Sequence, residues 1–163
     1  MSPSVFCPDQ DGEPLEAETL CLPAVAASVP FARRMVARCL SAWDLDDLLF
    51  PCTQVVAELA ANSVAEADAE RTPKPQDRGS KTFTVHLART FSHLFVKVGD
   101  ASPDPPKPRD ATEQDENGRG LVLVEALADH WGWHLDGPEG KVVYAAWILP
   151  GTSATARPVE VRW

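Results

Sequence analysis

The sequence predicts an α+β domain: a two-layer α/β sandwich in which three helices pack on one face of a mostly antiparallel, mixed sheet. Three segments have apolar residues at helical spacing, and two pairs of short segments alternate apolar and polar residues about a turn. The chain has 163 residues, of which 44% are hydrophobic, as expected for one globular domain with its own core. Helices gathered against hairpins bury one apolar face of each layer against the other, which favours the sandwich.

In the first half of the chain, the pattern predicts a tail, a strand and two helices. Residues 1–17 contain several prolines and acids that leave little to bury, so they are predicted to be a flexible tail. A short strand is expected over residues 18–22. Ser28 can cap a helix whose apolar residues recur at helical spacing on one side. A second helix is predicted over residues 51–66, with its proline in the first turn.

The second half predicts two hairpins and a third helix. Residues 68–80 carry two prolines and a glycine and are predicted to be an exposed connection. The strands KTFTVHLAR and HLFVKVGD should form a hairpin about residues 90–93. A proline-rich stretch then leads to a helix with apolar residues over 121–128, and WGWHLD and KVVYAAWIL form a closing hairpin. The domain is therefore expected to span residues 18–150, with 151–163 as a C-terminal extension.

Charge and cysteine usage exclude several classes of function. Lysine and arginine number 15 against 24 acidic residues, and a net charge of −9 argues against binding the phosphates of a nucleic acid. The four cysteines are far apart and match no metal or redox motif, so we expect reduced, mostly buried thiols. The sequence shows neither a leader pattern nor an uninterrupted apolar run of membrane-spanning length, which predicts a cytoplasmic protein that does not engage a membrane.

Three local patterns suggest a ligand site. Glu58 and Asn62 are four residues apart at the margin of an apolar helix stripe, where an acid can act as a base and an amide oxygen can bind Mg²⁺; a solvated helix face is the alternative. Asp100 ends a strand before an irregular loop and could accept hydrogen bonds from a ligand or serve only as a turn residue. Gly118 and Gly120 precede a helix, either to turn the chain or to bring backbone N–H groups near an anion.

Three motifs in the same order resemble one known superfamily. They are VVAELAANSVAE at residues 55–66, VGDASPDPP at 98–106 and GRGLVLVEALADHWG at 118–132. Together they resemble the ATP-binding fold of the GHKL superfamily, which includes histidine kinases, heat-shock chaperones and gyrase B. The closest likeness is to the anti-sigma-factor serine kinases of the RsbW and SpoIIAB type and related actinobacterial regulators. The resemblance covers roughly residues 18–149.

The resemblance implies a role for each matching residue. Glu58 would be the catalytic general base or water-orienting group, and Asn62 would hold the Mg²⁺ that bridges the phosphates of ATP. Asp100 would accept the amino group of adenine, and residues 102–117 would be the ATP lid, with Lys107 and Arg109 as further cations. Arg119 would add positive charge or make a structural ion pair. The remaining nucleotide contacts are expected from Ser102, Gly118, Arg119, Gly120 and Leu121.

The resemblance also implies partners and leaves two functions open. The chain would be an ATP-dependent serine/threonine protein kinase that phosphorylates an anti-sigma-factor antagonist and otherwise binds a sigma factor, and homodimers are common in this branch. Ala65 and Glu66 stand where the family commonly has arginine and histidine, which should weaken phosphate binding. The alternative is therefore a non-catalytic interaction module with weak or lost nucleotide binding. The ATPase domain of a histidine kinase is a third interpretation, but the sequence shows no phosphoacceptor helix hairpin before the domain.

Overall fold

The computed structural model describes residues 13–69, 81–106, 120–138 and 140–150. Most of the predicted tail and proposed lid, nearly all of the 68–80 connection and the whole 151–163 extension lie outside these residues, so the predicted domain boundaries stay a prediction. The described elements are β1 Glu16–Pro23, α1 Val29–Ala42, α2 Leu49–Ala69, β2 Thr82–Arg89, β3 His93–Asp100, α3 Gly120–Leu127, β4 His130–Leu135 and β5 Lys141–Ile148.

The predicted fold is confirmed as an α+β sandwich with a five-stranded sheet in the order β1-β2-β3-β5-β4. Each neighbouring pair of described strands is antiparallel, so the sheet is antiparallel throughout the described part. The order brings the start of β5 beside the end of β3, and Lys141 pairs directly with Asp100. This pairing positions much of the candidate site.

The core lies between the sheet and the helices, as the alternating pattern predicts. Phe83, Val85 and Leu87 of β2 are buried on the helix side, and every second residue of β3 and β5 joins them. Val55, Val56 and Leu59 of α2 pack against this layer. The apolar stripe of α2 therefore fixes which of its faces remains available to a ligand.

The opposite face of the sheet is less polar than strict alternation predicts. Phe95 alternates with the core residues of β3, yet its side chain is buried, with the His93 ring stacked at 5.8 Å and Lys97 Nζ 5.8 Å from the ring centroid. Tyr144 of β5 is also buried. Alternation therefore identifies the two faces of a strand but not how much of each is covered.

The helix boundaries differ from prediction in small ways that have physical causes. The predicted cap at Ser28 is wrong: α1 follows it directly, but its side chain makes no capping hydrogen bond, since residues 26–28 already form a 3-10 turn. Helix α2 begins two residues before Pro51, whose missing N–H costs nothing in a first turn. Helix α1 ends in a Schellman motif in which Asp44 takes a left-handed φ of 56°.

Helix α2 with its preceding turn, Asp46–Ala69, has 24 residues and is long and apolar enough by length and composition to cross a membrane, with a mean hydropathy of 1.3 over an 18-residue window. Core helices of soluble proteins meet the same criterion, so the finding decides nothing about a membrane. Among the cysteines that the structure describes, Cys39 and Cys52 are buried, Cys21 is exposed and all three are free thiols. Burial raises the pKa of Cys52, which makes its thiol unreactive.

Candidate functional site

One face of α2 carries the polar residues around which the site is built. Glu58, Asn62 and Glu66 follow one another at intervals of four residues and are half-buried. Ser63 lies beside this row and is buried. The predicted margin position of Glu58 and Asn62 is confirmed, because the apolar stripe beside them faces the sheet.

We call the first part of the site the α3 end, made of Glu58, Asn62 and Gly120. A Cβ atom on Gly120 would lie 2.9 Å from Glu58 Oε2 and 3.7 Å from Asn62 Oδ1, so only glycine fits there without displacing a neighbour. Gly120 is also the first residue of α3, where backbone N–H groups have no partner within the helix. The α3 end therefore joins an acid, an amide and a helix start.

We call the second part the β3 end, made of Asp100, Ser63, Lys141, Glu66 and Ser102. Ser63 Oγ donates to Asp100 Oδ2 over 2.7 Å. The Ser102 backbone N–H donates to Asp100 Oδ1 over 3.1 Å, and Lys141 Nζ donates to the same oxygen over 2.9 Å. Only 9% of the Asp100 side chain is exposed, so these contacts replace nearly all of its hydration.

Lys141 is the cation of the β3 end and is almost completely buried, with 2% of its side chain exposed. It donates hydrogen bonds to Glu66 Oε2, to Asp100 Oδ1 and, over 3.5 Å, to the Ser102 carbonyl oxygen. Burial alone would lower the pKa of Lys141, but the hydrogen bonds to Glu66 and Asp100 outweigh it and raise the pKa. The ammonium group therefore stays charged between two carboxylates.

The expected effect of Glu66 on phosphate binding is changed by this contact. The sequence predicts a free acid that repels phosphates, whereas the structure pairs Glu66 with Lys141 at the β3 end. Sequence reasoning missed both Lys141 and Ser63. Ser63 could have been found beside Asn62 on the helix, but the position of Lys141 depends on the pairing of β3 with β5.

The two ends differ in the space they offer. A cavity of about 320 Å³ is lined by Glu58 and Asn62 with other residues of α2 and with Ala26 and Val29 at the start of α1. The cavity lined by Ser63, Glu66, Asp100 and Ser102 has about 20 Å³. The second volume holds one water molecule, so a purine placed between Ser63, Glu66 and Asp100 would require the β3 end to open. A larger groove of about 580 Å³ on the opposite sheet face is lined by Asp100 but not by Glu58 or Asn62.

The other predicted site residues are only partly described. Ser102 lies beside Asp100 as expected, and the Leu121 side chain is buried in the core, so only its backbone could meet a ligand. Gly118, Arg119, Lys107 and Arg109 lie outside the described residues. Within the described ranges no group of three or more His, Cys, Asp or Glu side chains could hold a metal, so Mg²⁺ at Asn62 would need oxygens from the nucleotide itself.

The donor set fits a nucleotide with Mg²⁺: an amide oxygen and a helix start at one end and a buried carboxylate at the other. An antiparallel sheet under three helices, with these groups gathered beside α2, defines an α+β domain with a candidate nucleotide site. The chain belongs to the histidine kinase-like ATPase domain family of the GHKL superfamily, whose model matches residues 22–147. Domains of this superfamily bind ATP, usually with Mg²⁺. The search of curated proteins found no match for the chain.

Proposed function

We propose that the chain is an ATP-binding regulator of the anti-sigma-factor type and acts as a serine/threonine protein kinase on an anti-sigma-factor antagonist. The observation that carries the proposal is the α3 end, where Gly120 brings a helix start against Glu58 and Asn62. An acid, a Mg²⁺-binding amide and unpaired N–H groups within one small region are the groups that phosphoryl transfer requires.

Each residue has a distinct task in this proposal. Mg-ATP would supply the transferable phosphoryl group. The Asn62 amide oxygen would hold the metal, and the backbone at the start of α3 would neutralise part of the phosphate charge. Glu58 would accept the proton of the attacking hydroxyl group. Asp100 would accept the amino group of adenine at the β3 end.

The partners follow from the resemblance of the three motifs and are proposed with it. They are a sigma factor, an antagonist protein or both, met in the cytoplasm, and a second copy of the chain is a further proposed partner. The net charge of −9 favours a protein partner over nucleic acid.

A second candidate function is a protein-interaction module that no longer depends on ATP. The observation that favours it is the cavity between α2 and Asp100, which at about 20 Å³ is too small for a base on the side that faces Asn62. In this alternative the ion pairs at Asp100 would stabilise the fold, and the surface alone would bind the partner.

A labelling experiment separates the two functions. The purified chain is incubated with Mg-ATP labelled on the γ-phosphate and with the antagonist proteins encoded in the same genome. The kinase proposal expects label on a serine or threonine of one antagonist, and Glu58→Gln should bind ATP but transfer no label. Partner binding by an unmodified chain that neither binds ATP nor transfers label would instead support the interaction module.

A further inference from the structure

Lys141 is a buried charge with no role in the proposed phosphoryl transfer. Lys141 is the first residue of β5 and lies directly opposite Asp100. Its described hydrogen bonds all go to residues of the β3 end. Burying an ammonium group is costly unless it is fully paired, and its three N–H groups have Glu66, Asp100 and the Ser102 carbonyl as acceptors. The complete pairing of these N–H groups indicates that Lys141 acts on the neighbouring Asp100 carboxylate.

The hydrogen bonds of Asp100 leave it little freedom. An ionised carboxylate offers about four acceptor positions. Oδ1 accepts from Lys141 and from the Ser102 N–H, and Oδ2 accepts from Ser63. One position remains, on Oδ2, and the other contacts fix the direction in which it points.

The charge of Lys141 determines whether the remaining position on Asp100 Oδ2 accepts or donates a hydrogen bond. A buried carboxyl without a cation tends to become protonated, because burial disfavours its charged form. A protonated carboxyl can donate a hydrogen bond, whereas an ionised one can only accept. An acceptor attracts the exocyclic amino group of adenine and repels the carbonyl oxygen at the same position of guanine.

We propose that Lys141 is a specificity-determining positioning residue, which keeps Asp100 ionised and oriented so that the site selects nucleotides whose base presents an amino group. This inference rests on the proposed binding of ATP. Glu66 has a supporting role: with the Ser102 carbonyl oxygen it occupies two of the three donors of Lys141 and leaves one for Asp100. Because 27% of the Glu66 side chain is exposed, water can replace it, whereas nothing replaces Lys141.

The test compares the affinities for Mg-ATP and Mg-GTP by calorimetry in matched variants. Lys141→Met removes the charge, and Lys141→Gln keeps a neutral donor in case the first variant folds poorly. Lys141→Arg restores the cation. Lys81→Met is the matched control, since Lys81 lines the same small cavity. Lys81 donates a hydrogen bond to the Ala67 carbonyl oxygen over 3.4 Å.

We expect the ratio of ATP to GTP affinity to fall at least about tenfold in Lys141→Met and Lys141→Gln, or about 1.4 kcal/mol. Lys141→Arg and Lys81→Met should keep the wild-type ratio. A purely structural role would weaken both nucleotides equally and leave the ratio unchanged. Wild-type binding of ATP with an unchanged ratio in both neutral variants would overturn this inference alone. Failure of the folded wild-type chain to bind either nucleotide would overturn the proposed function and this inference with it.

Discussion

The α3 end and the β3 end of the site both include residues of α2, but they differ in how far their polar groups are already paired. At the β3 end Lys141 and Ser63 are buried, and both donate hydrogen bonds to Asp100, whose side chain is 9% exposed. At the α3 end Glu58 and Asn62 are half-buried and have no hydrogen-bond partner among the described residues, and the adjoining cavity has about 320 Å³. One end is stabilised before any ligand arrives, while the other leaves its polar groups for a ligand to satisfy.

The two ends should differ most in how much a substitution lowers the free energy of unfolding. Lys141→Met leaves the Asp100 carboxylate buried without a cation and should lower the free energy of unfolding by about 3–5 kcal/mol. Asn62→Ala removes a half-buried side chain without a described partner and should cost less than about 1 kcal/mol. Urea unfolding followed by circular dichroism measures both. A Lys141→Met protein as stable as Asn62→Ala would show that the β3 end is not a stabilising network.

The α3 end should instead be sensitive to geometry. In Gly120→Ala the new methyl group meets Glu58 Oε2 at 2.9 Å, and the Glu58 side chain must move because the α3 backbone is less free to do so. We expect Mg-ATP affinity to fall by about tenfold, or about 1.4 kcal/mol. The free energy of unfolding should change by less than about 1 kcal/mol, because alanine also favours the helix. Unchanged affinity would mean that the helix start does not approach the phosphates.

Substitution of Glu66 should lower stability less than Lys141→Met and change nucleotide affinity less than Gly120→Ala. The Glu66 side chain is partly hydrated and its charge is already paired. Glu66→Gln should lower the free energy of unfolding by about 0.5–1 kcal/mol. Since Lys141 offsets the Glu66 charge, Mg-ATP affinity should change by less than about threefold, or about 0.7 kcal/mol. A gain of tenfold or more would restore the sequence-based expectation that this acid repels the phosphates.

The smallest effect is an alkaline loss of stability that depends on Lys141. Its pKa lies above the ordinary value of 10.5, so the folded state retains a proton that the unfolded state has already released. The stabilisation is therefore complete below the ordinary pKa and is lost as the pH rises through the raised one. Urea unfolding between about pH 10 and 12 should show a steeper decline in the wild-type protein than in Lys141→Met. Parallel declines would exclude a raised pKa.

The periodicity of the sequence predicts the elements on which the site lies. Helix α2, the β2–β3 hairpin and α3 were predicted because their apolar residues repeat at spacings that the backbone imposes. The position of Glu58 and Asn62 on one helix face follows from the same rule. Local sequence is sufficient to predict contacts that are made within one helix or one hairpin.

The β3 end was not predictable in this way, because its contacts join distant parts of the chain. Asp100 and Lys141 meet only because β5 pairs with β3 after α3 and β4 have intervened. Neither the strand order nor the register can be read from the composition of the strands. Glu66 was therefore expected to face phosphates, although a buried lysine from another strand pairs with it.

Binding of Mg-ATP to this chain is tested most directly by calorimetric titration of the wild-type protein beside Asn62→Ala. We predict saturable binding of one Mg-ATP per chain and a loss of affinity of at least about tenfold in Asn62→Ala, or about 1.4 kcal/mol, while that variant keeps its free energy of unfolding. Absence of both binding heat and thermal stabilisation up to millimolar Mg-ATP would contradict the ATP-binding site described above.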